Sequence, residues 1–133
     1  MNGQEHTLAG GELNHAIANA IVRGHRRYVG RGPVKAQAFY RHNIIVVVMR
    51  DALTQAEQSL VADGQDEAVL KGRHQLQQVM RGPLLRAVEE ITGCRVDASM
   101  SAMHINPDLA VELFVLDRSV PTLQPASALG TTE

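Results

Sequence analysis

Aromatic side chains are nearly missing from this sequence. Its 133 residues hold two Phe, two Tyr and no Trp. Aliphatic residues must therefore fill the core, and the stacking platforms that hold single-stranded nucleic acid are lacking. No sign of charge dominates either: 13 Lys and Arg stand against 14 Asp and Glu, for a net −1. No global field exists to draw in DNA or RNA. Cys94 is the single cysteine. It excludes an internal disulfide and a cysteine-rich zinc site, and it fits a reducing cytosol. Long apolar runs are also absent. The longest, Ile44 to Met49, falls far short of the ~20 residues that a membrane-spanning helix needs. The opening MNGQEHTLAGGE lacks the charged-then-apolar pattern of a signal peptide. These absences predict a cytoplasmic protein that binds no nucleic acid. It would lie peripheral to the inner face of a membrane, if it reaches one, through a partner.

What is present describes one domain. The composition, 44% hydrophobic and 20% charged, is that of a globular chain long enough to bury a core. Residues 1–10 are polar and read as a flexible N-terminus. Residues 11–117 carry the periodic patterns of a single domain. Residues 118–133 turn to Pro, Ser, Thr and Ala and read as a flexible tail.

Leu13, Ile17, Ala20, Ile21, Gly24 and Tyr28 recur at three- and four-residue steps, the stripe of an amphipathic helix. Gly30 stands where a left-handed cap would end it, and Pro33 blocks its continuation. Val34, Ala36, Ala38 and Tyr40 then alternate with Lys35, Gln37 and Phe39, the period of a half-buried strand. A turn at 41–43 leads to Ile44–Met49. That run is apolar on both faces and reads as a central strand covered more fully than its neighbour. Thr54 and Glu57 form a capping box. A short helix follows to Asp63-Gly64. A longer helix from Gln65 keeps its stripe in phase across Gly82-Pro83 and stops at Thr92-Gly93. Cys94, Val96, Ala98, Met100 and Ala102 alternate with Arg95, Asp97, Ser99 and Ser101, which predicts that the first set faces the core. HINPD at 104–108 turns the chain into a last strand, Leu109–Leu116, with Glu112 its only charge.

The predicted fold class is therefore α+β, in the order α-β-β-α-α-β-β. Two hairpins form a four-stranded antiparallel sheet, and helices pack on one face. The other face holds few charges for its area, which makes a homodimer through that face an expectation.

Four segments, GRGPVKAQAF, LTQAEQSL, AVEEITGCRV and DASMSAMHINPDLAVELFVLD, resemble in content and order the MpsC family. These are small bacterial proteins named for a Na+-translocating, membrane potential-generating system. The resemblance covers Leu13 to Asp117. Its marker residues include Gly30, Gly32, Pro33, Thr54, Glu57, Gly93, Pro107 and Asp108. Gly24 and Gly72 depart from the pattern, standing where a larger residue is expected. The resemblance implies a non-enzymatic accessory or regulatory protein of a membrane ion-translocating or inorganic carbon uptake system. It carries over no catalytic residue and no cofactor.

Each candidate site has a structural reading beside it. Gly30–Lys35 could cradle an anion in a glycine-rich nest, with Arg31 and Lys35 supplying charge. The helix runs into this corner, however, and its C-terminal dipole disfavours an anion there. Arg23, His25, Arg26, Arg27, Arg31 and Lys35 form a basic cluster. It reads either as a solvated helix face or as a docking surface for an acidic protein or anionic membrane. His42, His104 and Asp108 fall at hairpin turns that would meet if the hairpins lay side by side, but no metal-ligand spacing accompanies them. Glu89 and Glu90 point about 100° apart on a helix and make no acid–base pair. Cys94 reads as an inert buried thiol, and no base can be assigned to Ser99 or Ser101. The leading expectation is an accessory protein. The alternative is a small-anion or nucleotide binding module built on the Gly30–Lys35 corner and neighbouring arginines.

Overall fold

The computed structural model describes residues 10–33 and 35–121. Their elements are α1 (Gly10–Val29), β1 (Lys35–Arg41), β2 (Ile44–Arg50), α2 (Gln55–Ala62), α3 (Asp66–Thr92), β3 (Val96–His104) and β4 (Leu109–Leu116). The order is the predicted one. The strands form one antiparallel sheet, β1-β2-β4-β3, with the second strand of each hairpin at its centre.

The core lies on one face of the sheet. Leu13, Ile17 and Ile21 of α1 and Met80, Leu84 and Val88 of α3 pack on Tyr40, Ile45, Val47, Met49 and Phe114. These strand residues share one parity, as a half-covered sheet requires. The two helices meet closely at Gly24: a Cβ there would lie 2.5 Å from Leu84 Cδ2. That contact explains the small residue at this helical position. Gly72 has open space around it, and nothing in the structure explains it.

α3 runs unbroken for 27 residues with Pro83 inside it, and ends on Gly93 in the left-handed conformation at φ 72°. α1 ends similarly, with Gly30 at φ 90°. The β1–β2 turn lies at the expected place, with His42 at a positive φ of 55°. Asn43 uses its side-chain amide to donate to the Leu116 carbonyl. The segment after β4 is tied to the same turn: Val120 N–H donates to the His42 carbonyl, and its side chain joins the core. The frayed N-terminus expected at 1–10 lies almost wholly outside the described residues, as does most of the expected tail.

β2 is central and covered more fully than β1, chiefly on one face. Ile45, Val47 and Met49 are buried under the helices, whereas Ile44 is 41% exposed on the other side and Val46 and Val48 are half-buried. β3 departs from simple alternation. Val96 pairs with Leu116, but Ala98 pairs with Val115, so the register slips by one residue at Asp97. Such a bulge exchanges the two faces of a strand. Beyond it Ser99, Ser101 and Met103 turn toward the helices, while Ala98, Met100 and Ala102 face outward. Simple alternation placed them the other way round.

Two stability changes follow. Thr54 Oγ1 accepts from Glu57 N–H at 3.1 Å, and Glu57 Oε1 accepts from Thr54 N–H at 2.8 Å. Thr54→Ala should therefore cost about 1 kcal/mol, measured by urea unfolding. Gly72→Ala should stabilise by about 0.5–1 kcal/mol, because it adds helix propensity without a clash; a lowered midpoint would contradict the open environment.

Candidate functional site

Three groups of side chains stand out: a polar latch, a buried acid–base pair and an open sheet face. The latch gathers around Ala52–Thr54, where β2 passes into α2. Asp108 Oδ1 and Oδ2 accept from the Ala52 and Leu53 N–H groups at 3.0 and 2.9 Å. Arg31 donates to the Leu53 carbonyl, and Gln58 Nε2 donates to the same oxygen. Arg73, a charge buried within α3, donates to the Ala52 carbonyl at 2.5 Å. It also forks onto Glu57 through Nε at 2.6 Å and Nη2 at 2.9 Å. A buried guanidinium is tolerated when a carboxylate and carbonyls satisfy it in this way. Burial pushes the Glu57 carboxyl up, but Arg73 and the Thr54 contacts outweigh it and leave its pKa lowered.

Much of the basic cluster is thereby reassigned. Arg31 is engaged inside the latch, and Gly30 N–H closes α1 by donating to the Arg26 carbonyl. His25 is not on the solvated helix face but buried. Arg23, Arg26 and Arg27 are exposed on α1, with Arg27 stacked over the Tyr28 ring at 5.5 Å. Lys35 projects from the opposite layer, on the face of the sheet that α1 does not cover. The structure does not bring these residues together as one patch. Of the marker residues, Thr54, Glu57 and Asp108 belong to the latch, and Gly30 and Gly93 stop helices. Gly32 sits close under Val22 and Arg26, beside Pro33. Pro107 offers its carbonyl to His104 Nδ1–H at 2.9 Å.

The turns that carry His42 and His104 lie at opposite ends of the sheet, because β2 and β4 pair antiparallel, Ile44 with Val115 and Arg50 with Leu109. Among the described residues no three His, Cys, Asp or Glu side chains are grouped as a metal ion requires.

The buried pair was legible only in part, as the lone charge in β4. Glu112 points inward between Val47 and Ser101. Its Oε1 accepts from Ser101 Oγ at 2.5 Å, and its Oε2 lies 3.7 Å from His25 Nε2. His25 Nδ1–H donates to the Ile21 carbonyl at 3.0 Å, which leaves Nε2 as the acceptor of a neutral ring. Burial pushes His25 down; the Ile21 bond opposes this and Arg73 adds to it. Burial pushes the Glu112 carboxyl up to about 7, against the Ser101 hydroxyl and the charge of Arg81. The pair can therefore hold a proton in the interior near neutrality. Ser101 meets the carboxylate, not the imidazole, so no serine–histidine relay is formed.

The open face is built from alternate strand residues. Phe39, Val46, Val48, Val111, Leu113 and Val115 form its apolar middle, all half-buried. Its outward paired positions carry the cations Lys35, Arg41 and Arg50, and the bulged Asp97 of β3 is exposed beside Arg95. Lys35 stands directly opposite Arg50, a like-charge pairing that destabilises a sheet unless an anion answers it. Both residues line a shallow groove with Gln37, Phe39 and Val48.

The acid–base pair predicts a pH dependence. A carboxyl raised from 4.5 to about 7 in the folded state supplies stability that is complete below 4.5 and lost as pH rises through 7. The loss is about 3 kcal/mol at 1.36 kcal/mol per pH unit. His25, lowered by burial, works in the opposite sense and loses stability as pH falls below its ordinary value. Glu112→Gln keeps an acceptor for Ser101 and removes the charge. It should be more stable than the parent at pH 8, with the gap narrowing toward pH 5; parallel profiles would assign the titration to another group.

No curated protein and no solved structure matches the chain. The model of one family, described as Na+-translocating membrane potential-generating system (MpsC), matches residues 9–118. That match takes in every described element, the latch, the buried pair and the open face alike, and the chain belongs to the MpsC family.

Proposed function

We propose that this protein is a non-enzymatic accessory subunit of a membrane ion-translocating system, and that it docks through the open face of its sheet. The observation that carries this reading is the cation-edged apolar face, with Lys35 and Arg50 paired across it. No helix among the described residues is long and apolar enough to cross a membrane, so such a role works through contact with a partner. The family's name supports the membrane setting.

The chemistry favours an acidic protein surface as the partner. Lys35 and Arg50 would gain about 1 kcal/mol each near an anionic bilayer, too little to retain a domain alone. An acidic segment could answer these charges while its apolar residues cover Phe39 and Val48. The sodium ion or inorganic carbon that moves would then be handled by the partner. The alternative, an anion or nucleotide site at the Gly30–Lys35 corner, has less to support it, because Gly30 N–H and Arg31 already have protein acceptors.

Co-sedimentation with native membranes tests the docking. The protein should pellet with membranes, and Lys35→Glu with Arg50→Glu should reduce binding at least tenfold. Protease treatment of the membranes should abolish it. Equal binding to protein-free vesicles of anionic phospholipid would replace the protein partner with lipid, and no binding in either case would remove the proposal.

A further inference from the structure

The two edges of the sheet are not alike. β1 carries Lys35 and Arg41 at its ends, the kind of charge that keeps an edge strand from pairing with another chain. β3 forms the other edge, and its charge and its bulge are both confined to its start, at Asp97. From Ala98 to Ala102 it contains neither charge nor proline, and nothing among the described residues pairs with its outer side. Met100, at its middle, is 56% exposed. The regular stretch of β3 beyond the bulge presents an unfilled row of backbone donors and acceptors.

The residues on this edge also read the same in both directions: Ala98-Ser99-Met100-Ser101-Ala102. An antiparallel pairing about a two-fold axis reverses one copy against the other. Centred on Met100, it sets Ala98 against Ala102 of the second copy, Ser99 against Ser101, and Met100 against Met100. Parity is kept throughout. The alanines and methionines stay on the open face, and the serines stay on the helix side, as the shift at Asp97 dictates. Ser101 donates to Glu112 and keeps lone pairs for the hydroxyl of Ser99 opposite.

We infer that two copies of this chain pair through their β3 edges, antiparallel and centred on Met100, to make one continuous eight-stranded sheet. The homodimer expected from the sheet is thus an edge-to-edge one, not a stacking of open faces. It leaves the open face of both copies available and doubles its width, with the cations of each β1 at the two far ends. The inference stands on the edge alone and does not depend on the docking reading.

The test is the mass of the full chain in solution, by sedimentation equilibrium, for the parent and Met100→Lys. The parent should show twice the 14.5 kDa chain mass. Met100→Lys sets two ammonium groups face to face across the two-fold and should halve that mass. Because Met100 is exposed within one chain, the circular dichroism spectrum of the variant should be unchanged. Met100→Cys provides a second measurement that leaves the edge uncharged. It should form a disulfide-linked dimer on mild oxidation, whereas Val79→Cys, on the exposed surface of α3, should not. A monomeric parent overturns the inference. So does a dimer that survives Met100→Lys and is not trapped by Met100→Cys.

Discussion

One extra residue, Asp97, shifts β3 by one position against β4 and exchanges the faces of the strand. The strand is pinned on the near side of this shift. Val96 N–H donates to Glu89 Oε2 at 2.9 Å, Arg95 N–H donates to Asp117 Oδ1, and Asp117 N–H donates to the Arg95 carbonyl. These contacts hold Cys94 and Val96 in the core. Beyond the shift, Ser101 lies opposite Glu112 and satisfies the one carboxyl that the sheet turns inward. If Asp97 paired in regular alternation and did not bulge, Met100 would stand opposite Glu112 with no hydroxyl to offer, and a buried polar group without a partner is costly. The same slip carries Ala98, Met100 and Ala102 to the open side. The interior acid–base pair and the exposed uncharged edge are thus two consequences of a single constraint.

A second constraint operates at the far end of β2. The backbone at Ala52–Leu53 leaves the sheet before α2 begins, and its polar groups need partners from elsewhere. They find them in Asp108 from the β3–β4 turn, Arg31 after α1 and Arg73 of α3. Glu57 caps α2 and receives Arg73 with the same carboxylate. Residues far apart in sequence are drawn to two consecutive positions. The markers Thr54, Glu57 and Asp108 thus hold the fold together.

The two sides of the sheet differ in composition. The helices, the core and the latch occupy one side of the sheet; the other side keeps a half-buried apolar middle, with Lys35 and Arg50 beside it. A face of this composition is a place for another surface. An edge-paired dimer would widen it without blocking it.

Periodicity and turn chemistry were enough to place the helices, the two hairpins and the capping box, because these depend on neighbours within a few residues. The Thr54–Glu57 spacing, the glycine stops at 30 and 93 and the stripe across Pro83 are all of this kind. Alternation failed at β3, since a bulge leaves no mark in composition, and the helical stripe of α1 did not reveal that His25 would be buried against Glu112. Arg31 looked like a spare charge because its acceptor, the Leu53 carbonyl, is 22 residues away. Local sequence thus determined the elements and their order. Tertiary structure alone decided which side of β3 meets the helices, which arginines are engaged and which face of the sheet stays open, because each depends on contacts between segments that only folding brings together.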